Sequence, residues 1–344
     1  MKKHLTKIVR KNKLENKDLY KVVLSQNERN LNLPDSLFNN FISSIKQKDI
    51  FFYPNIKNLR SKLAKYLGVK GYNLLFTPGS DLGIKTLFEC FDLKGKNIIT
   101  SNYCFPMYNV YAKLYECKIK KVRYTDKGLN FRWILDKIDE DTQFIILANP
   151  NSPLGDYYTF DQIKTLLDTG IHVIIDEAYI ELTDKKSLVK KIKTYTNLTI
   201  IRTFSKGYGA AGCRVGYIVS DKSNIDIFNK FRFMYELSGM SAKYCEFILD
   251  NIVYFNRYTE KTFLAKNELV ERLNKKGYEI IDTSSSWFFL KYSKEIEGLF
   301  KKNLVSFRTI NHFSDNSKYI KFNYDLELKN TNLIKDLLNV QINR

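Results

Sequence analysis

Residues 199–217 read TIIRTFSKGYGAAGCRVGY. The apolar run from Thr199 to Thr203 predicts a strand. It ends in Phe204-Ser205-Lys206, and a loop of small residues follows: Gly207, Gly209, Ala210, Ala211 and Gly212. Arg214 stands eight residues after the lysine, and Val215-Gly216-Tyr217 resumes the apolar pattern. This suits a lysine that forms a Schiff base beside a bound phosphate. Partial desolvation and a cationic neighbour keep such an amine neutral and nucleophilic. Ser205, Arg214 and the loop N–H groups supply anion donors. The plain alternative is a surface lysine in a turn, with Arg214 in a surface salt bridge.

Around this stretch the chain has 344 residues, enough for one large domain and one smaller one. No apolar run approaches a membrane span. The basic N-terminus lacks the apolar stretch of a secretion signal, so the cytoplasm is the expected location. The five cysteines are scattered without a CxxC pair, and neither a disulfide framework nor a metal site is expected. The net charge of +19 reads first as a Lys- and Asn-rich composition, with at most a weak bias toward phosphorylated substrates. The lysines are dispersed and no nucleic-acid motif occurs, so no nucleic-acid partner is expected.

Other segments alternate between strand and helix signals. Leu74-Leu75-Phe76 leads into Thr77-Pro78-Gly79-Ser80-Asp81, and Leu82, Leu87, Phe88 and Phe91 then suit one helix face. Ser80 is the expected N-cap. Such a helix start is either a phosphate site or simply a capped helix. Phe144–Ala148 and His172–Ile175 read as buried strands. The second ends in Asp176, where open α/β sheets bind ligands; the alternative role for Asp176 is a helix cap. Further strands are expected at 97–100, 119–124, 278–282 and 286–292, and helices at 35–49 and from about 225 to 275. The pattern predicts an α/β fold: a large domain with a mainly parallel sheet flanked by helices, and a smaller α+β domain.

The 199–217 segment resembles the lysine segment of fold-type I pyridoxal-phosphate (PLP) enzymes. It is most similar to class I/II aminotransferases of the histidinol-phosphate aminotransferase type, whose pattern is R-T-x-S-K-x-x-G-x-A-G-x-R-x-G-Y. Arg202, Thr203, Ser205, Lys206, Gly209, Ala211, Gly212, Arg214, Gly216 and Tyr217 match it. Asp176-Glu177-Ala178-Tyr179, Cys104-Phe105-Pro106-Met107-Tyr108, Asn149 to Gly155 and Tyr53-Pro54 resemble further family segments in the same order. The likeness runs from about Asn27 to about Asp336.

The resemblance implies a PLP cofactor joined to Lys206. Asp176 would pair with the pyridine nitrogen, and Tyr179 would contact the phenolic oxygen. Phe105 would stack on the ring. Asn151 would donate to the phenolic oxygen, with Ser152 as its competitor. Gly79, Ser80, Asp81, Ser205 and Arg214 would hold the phosphate. Tyr53 would reach the cofactor of a partner in a homodimer. Asn27 would lie at the mouth of the site, and Arg308 and Lys321 would bind substrate. Three departures stand out: Asn30 in place of a proline, Leu154 in place of a threonine, and Lys321 in place of the carboxylate-binding arginine.

The implied domains are an arm at 1–47 joining the small domain, a large PLP-binding domain at 48–235, and a small domain at 236–344. The implied reaction moves an amino group between an amino acid such as glutamate or alanine and a small, phosphorylated keto or amine substrate. Lys206 would move the proton as general base and acid. The alternative is a PLP-dependent decarboxylase of a phosphorylated amino acid such as phosphoserine.

Overall fold

The structure, a computed structural model, describes residues 5, 8, 17–125, 128–311 and 316–340. Much of the expected irregular stretch at 1–24 lies outside the described residues.

Seven strands form the large sheet: β1 (Leu74–Thr77), β2 (Asn97–Ser101), β3 (Lys118–Val122), β4 (Thr142–Ala148), β5 (His172–Asp176), β6 (Leu198–Thr203) and β7 (Gly216–Ser220). Their spatial order is β1-β7-β6-β5-β4-β2-β3. The pairs from β6 through β3 are parallel, and β7 runs antiparallel to both neighbours. The continuous apolar runs of β4 and β5 follow from burial on both faces. Alternate residues feed two cores. Ile145, Leu147, Val173 and Ile175 enter one, whereas Phe144, Ile146 and Ile174 enter the other.

The first core is closed by α2 (Lys57–Leu67), α5 (Phe160–Leu167) and α7 (Gly239–Asp250). The second is closed by α3 (Gly79–Cys90), α4 (Pro106–Leu114) and α6 (Lys222–Phe228). Helix α1 (Asp35–Ser44) joins the first core, where Phe41 packs edge-on against Tyr244.

A second, antiparallel sheet contains β8 (Ile280–Ile281), β9 (Trp287–Lys291), β10 (Arg308–Asn311) and β11 (Lys318–Asn323), in the order β8-β9-β11-β10. One face sends Phe288, Leu290, Ile320 and Phe322 into a core with Leu269, Leu273 and Phe300. The opposite face carries Trp287, Phe289 and Tyr319, and Tyr179 packs against it. Strand alternation thus turns one side of this sheet toward the segment after β5. Val22-Val23 pairs in parallel with Val305-Ser306, so the arm joins the small sheet's surroundings.

Several sequence expectations change: the helix expected from about 225 to 275 is broken into Lys222–Phe228, Gly239–Asp250 and Ile252–Lys275, and the one expected at 35–49 ends at Ser44. The long helix α8 (Ile252–Lys275) contributes to both cores: Phe255 enters the large one, with Leu237, Cys245 and Ile248 before it, while Leu269 and Leu273 enter the small one. The strand expected at 278–282 contracts to Ile280–Ile281. Ser80 lies inside the first turn of α3; Pro78 occupies the N-cap and makes no side-chain cap.

Candidate active site

A cleft of about 1390 Å³ opens at the carboxyl ends of β4, β5 and β6. That end gathers loops from successive strands, which is why open α/β sheets place ligands there. The N-terminus of α3 forms one wall. Ser25, Gln26 and Glu28 of the arm and Phe307, Arg308 and Thr309 close the other side.

Lys206 leaves the end of β6 and lines the cleft, its Nζ donating to the Gln26 carbonyl at 2.9 Å. The nitrogen lies 5.8 Å from the centroid of the Tyr179 ring. The loop needs small residues for a steric reason. A Cβ on Gly207 would lie 2.3 Å from Glu181 Cβ. Glu181 is itself bonded to buried Arg202 on β6, so it has little freedom to yield.

Asp176 ends β5 and is 5% exposed. Its Oδ2 accepts from the Tyr108 hydroxyl at 2.9 Å, and its Oδ1 from the Ala178 N–H at 3.1 Å. Burial pushes its carboxyl up to about 6, against the opposing effect of these two hydrogen bonds. Phe105 precedes α4 and lines the cleft, with its ring edge-on to Tyr108 at 5.9 Å.

The anion end is built on α3. With no side chain capping its first turn, the N–H groups of that turn are left for a ligand. Gly79 has φ +78°, and a Cβ there would lie 2.5 Å from Nη2 of Arg214. The guanidinium therefore packs directly over this turn. Ser80 and Ser205 line the same region. Asp81 also lines the cleft, and its carboxylate accepts from the Tyr111 hydroxyl at 2.8 Å. A PLP phosphate fits this end: exposed helix amides, two hydroxyls and an arginine all favour an anion. The buried carboxylate of Asp176 suits the protonated nitrogen of the ring.

The Asn151 amide is committed elsewhere. It donates to Tyr103 O at 2.9 Å, its oxygen accepts from the Leu154 N–H, and Ser152 lines the cleft instead. Asn27, at φ +54°, lines a separate cavity of about 30 Å³ beside Arg29 and Tyr258. Its neighbours Gln26 and Glu28 face the cleft. Tyr53 does not line the cleft; it is 75% exposed and stacks on Tyr235 at 4.0 Å.

Arg308 on β10 lines the cleft and stands in register opposite Lys321 on β11. Lys321 is 4% exposed, with its ammonium 4.0 Å from the Trp287 ring centroid and 5.9 Å from that of Tyr179. Burial first, then the charges of Arg308 and Lys206, hold its proton affinity well below the ordinary lysine value. The sequence assigns no role to Tyr108, although its segment is matched, or to Trp287. Tyr108 closes the Cys104–Tyr108 stretch one turn beyond Phe105, so helical spacing was the available signal. No comparable local signal marked Trp287.

A mainly parallel sheet, a lysine after β6, a buried aspartate after β5 and an anion cradle at a helix start define a fold-type I PLP enzyme. The family of aminotransferases of class I and II matches residues 20–314, and the chain belongs to it. It is 31% identical over 291 residues to histidinol-phosphate aminotransferase of Pyrococcus furiosus, covering 83% of each chain. The corresponding enzyme of Buchnera aphidicola is 30% identical over 308 residues, covering 83% of this chain and 84% of its own. The solved histidinol-phosphate aminotransferase of Sinorhizobium meliloti, in complex with pyridoxal-5'-phosphate, superimposes with a TM-score of 0.83 at 18% identity. That match covers 99% of this chain and 96% of the other. The protein is a PLP-dependent aminotransferase. No helix among the described residues is long and apolar enough to cross a membrane.

Proposed function

We propose that the enzyme moves an amino group between an amino acid donor, glutamate or alanine, and a small phosphorylated amine or ketone of the histidinol-phosphate class. One observation carries this reading: Arg308 and Lys321 stand side by side on adjacent strands, and the charges of Arg308 and Lys206 both act on Lys321. With Arg214 committed to the cofactor end, this second cationic group suits a second anion. A phosphate ester or a donor carboxylate would satisfy it in turn.

PLP supplies an electron sink for the carbanion that forms when the substrate loses its α-proton. The Lys206 amine takes that proton and returns it as general base and acid. Asp176 holds positive charge on the ring nitrogen. Tyr179 and Ser152, beyond the carboxyl ends of β5 and β4, line the cleft and would contact the cofactor's phenolic oxygen. Phe105, which lines the cleft, would stack on the ring. Gly79, Ser80, Asp81, Ser205 and Arg214 hold the phosphate, with Tyr111 restraining the Asp81 carboxylate.

We further propose a homodimer. Ile50, Phe51, Phe52 and Tyr53 are exposed, as are Phe233, Met234 and Tyr235, and the Tyr53–Tyr235 stack joins the two groups. An apolar patch of this kind favours association. A second copy would bring Tyr53 to its neighbour's cofactor.

The test incubates the purified enzyme with histidinol phosphate, glutamate, alanine or phosphoserine and follows cofactor absorbance, products and carbon dioxide. Conversion of the cofactor to its amine form by histidinol phosphate supports the proposal. Carbon dioxide released from phosphoserine without that conversion favours the decarboxylase instead.

A further inference from the structure

The stretch that supplies the stacking ring also supplies a second group. Phe105 precedes α4, Pro106 opens the helix, and Tyr108 lies one turn on. Tyr108 is 0% exposed, and its hydroxyl points at Asp176 Oδ2, 68 residues away in sequence. A buried phenol needs a hydrogen-bond partner, and this one has taken the carboxylate of the cofactor site.

We propose that Tyr108 is a positioning residue for Asp176: its hydroxyl keeps that carboxylate ionised, so that the shared proton stays on the cofactor's ring nitrogen.

The effect of Tyr108 on Asp176 is one of charge. Asp176 sits in a low-dielectric site that disfavours its anion. Asp81, approaching from α3, adds to that penalty. The two hydrogen bonds given to Asp176 come from neutral donors, one per oxygen: Tyr108 and the Ala178 N–H. The backbone donor is fixed by the chain. The phenol is therefore the side chain through which the sequence tunes this carboxylate. A proton shared between a carboxylate and a pyridine goes to the more basic partner. Donation from Tyr108 makes Asp176 less basic and leaves the proton on the ring, where it serves the chemistry. The polarity of the bond is also fixed. Burial, and then the charge of Asp176, raise the Tyr108 phenol well above its ordinary value; Cys104 and Tyr179, the other titratable groups facing it, act in the same direction. Tyr108 stays a donor throughout the working pH range.

The experiment uses the holoenzyme loaded with PLP carrying nitrogen-15 in the ring, read by NMR without substrate. It is therefore independent of the substrate assignment. In Tyr108→Phe the ring signal is expected to move from the protonated toward the neutral position. The cofactor dissociation constant should change less than about threefold, because the phosphate contacts are untouched. In an Asp176→Asn background the same substitution should shift nothing further. An unmoved signal in a folded Tyr108→Phe protein, or equal shifts in both backgrounds, overturns the proposal. 3-Fluorotyrosine at position 108 preserves the shape should Tyr108→Phe fail to fold. Its fluorine resonance is expected to move on Asp176→Asn, and an unchanged resonance also overturns the proposal.

Discussion

The Arg214 guanidinium occupies the space that a side chain on Gly79 would need. A Cβ there would lie 2.5 Å from Nη2, at a backbone φ of +78°. The left-handed conformation alone costs an L-residue about 1–2 kcal/mol, and the arginine must move as well. Gly79→Ala is therefore expected to weaken PLP binding by at least about tenfold, or about 1.4 kcal/mol. Fluorescence titration of the cofactor measures this directly. An unchanged dissociation constant would remove Gly79 and Arg214 from the phosphate site.

The exposed Tyr53 ring yields a prediction about assembly. Tyr53→Phe and Lys206→Ala chains, each impaired alone, should regain activity when mixed. In a hybrid dimer one site keeps both groups and the other lacks both. Activity no greater than the sum of the unmixed parents would show that Tyr53 does not act across an interface.

Lys321 offers a single ammonium where the family resemblance places a planar fork. Lys321→Arg should improve kcat/KM for α-amino acid donors by roughly 1–2 kcal/mol relative to the phosphorylated partner. Steady-state kinetics on both half-reactions test this. Equal gains on both would mean that Lys321 does not distinguish them.

His172 begins β5 with its Nε2 2.8 Å from Thr199 Oγ1. Burial lowers its pKa to about 4. The fold thus binds the neutral ring, while the unfolded chain binds a proton near pH 6.5. Stability from this group is complete above pH 6.5 and falls as the pH drops toward 4, by about 1.4 kcal/mol per unit. Urea unfolding of the wild type and His172→Gln between pH 4 and 7 should show this loss in the wild type alone. A constant difference between the two curves would show that His172 does not titrate in this range.

Much of the cleft's lining was legible in the sequence because its parts are local. Lys206, Ser205, Arg214, Asp176 and Tyr179 belong to short segments in which strand, turn and functional residue adjoin. The apolar runs that end in Asp176 and Thr203 place these groups at one edge of the sheet. Tertiary structure decided what depended on distant partners. Ser80 does not cap α3: the helix begins at Gly79, Pro78 holds the N-cap position without a side-chain cap, and the Arg214 guanidinium packs over the first turn. Ser152, not Asn151, faces the cleft, because Tyr103 takes the Asn151 amide. Lys321 rests on Trp287 because β9 and β11 pair in a register that no local pattern specifies. Tyr108 meets Asp176 across 68 residues because the second core brings α4 against the carboxyl end of β5. Sequence periodicity assigns a side chain to a face of its own element, and only the packing of elements determines which group it meets there.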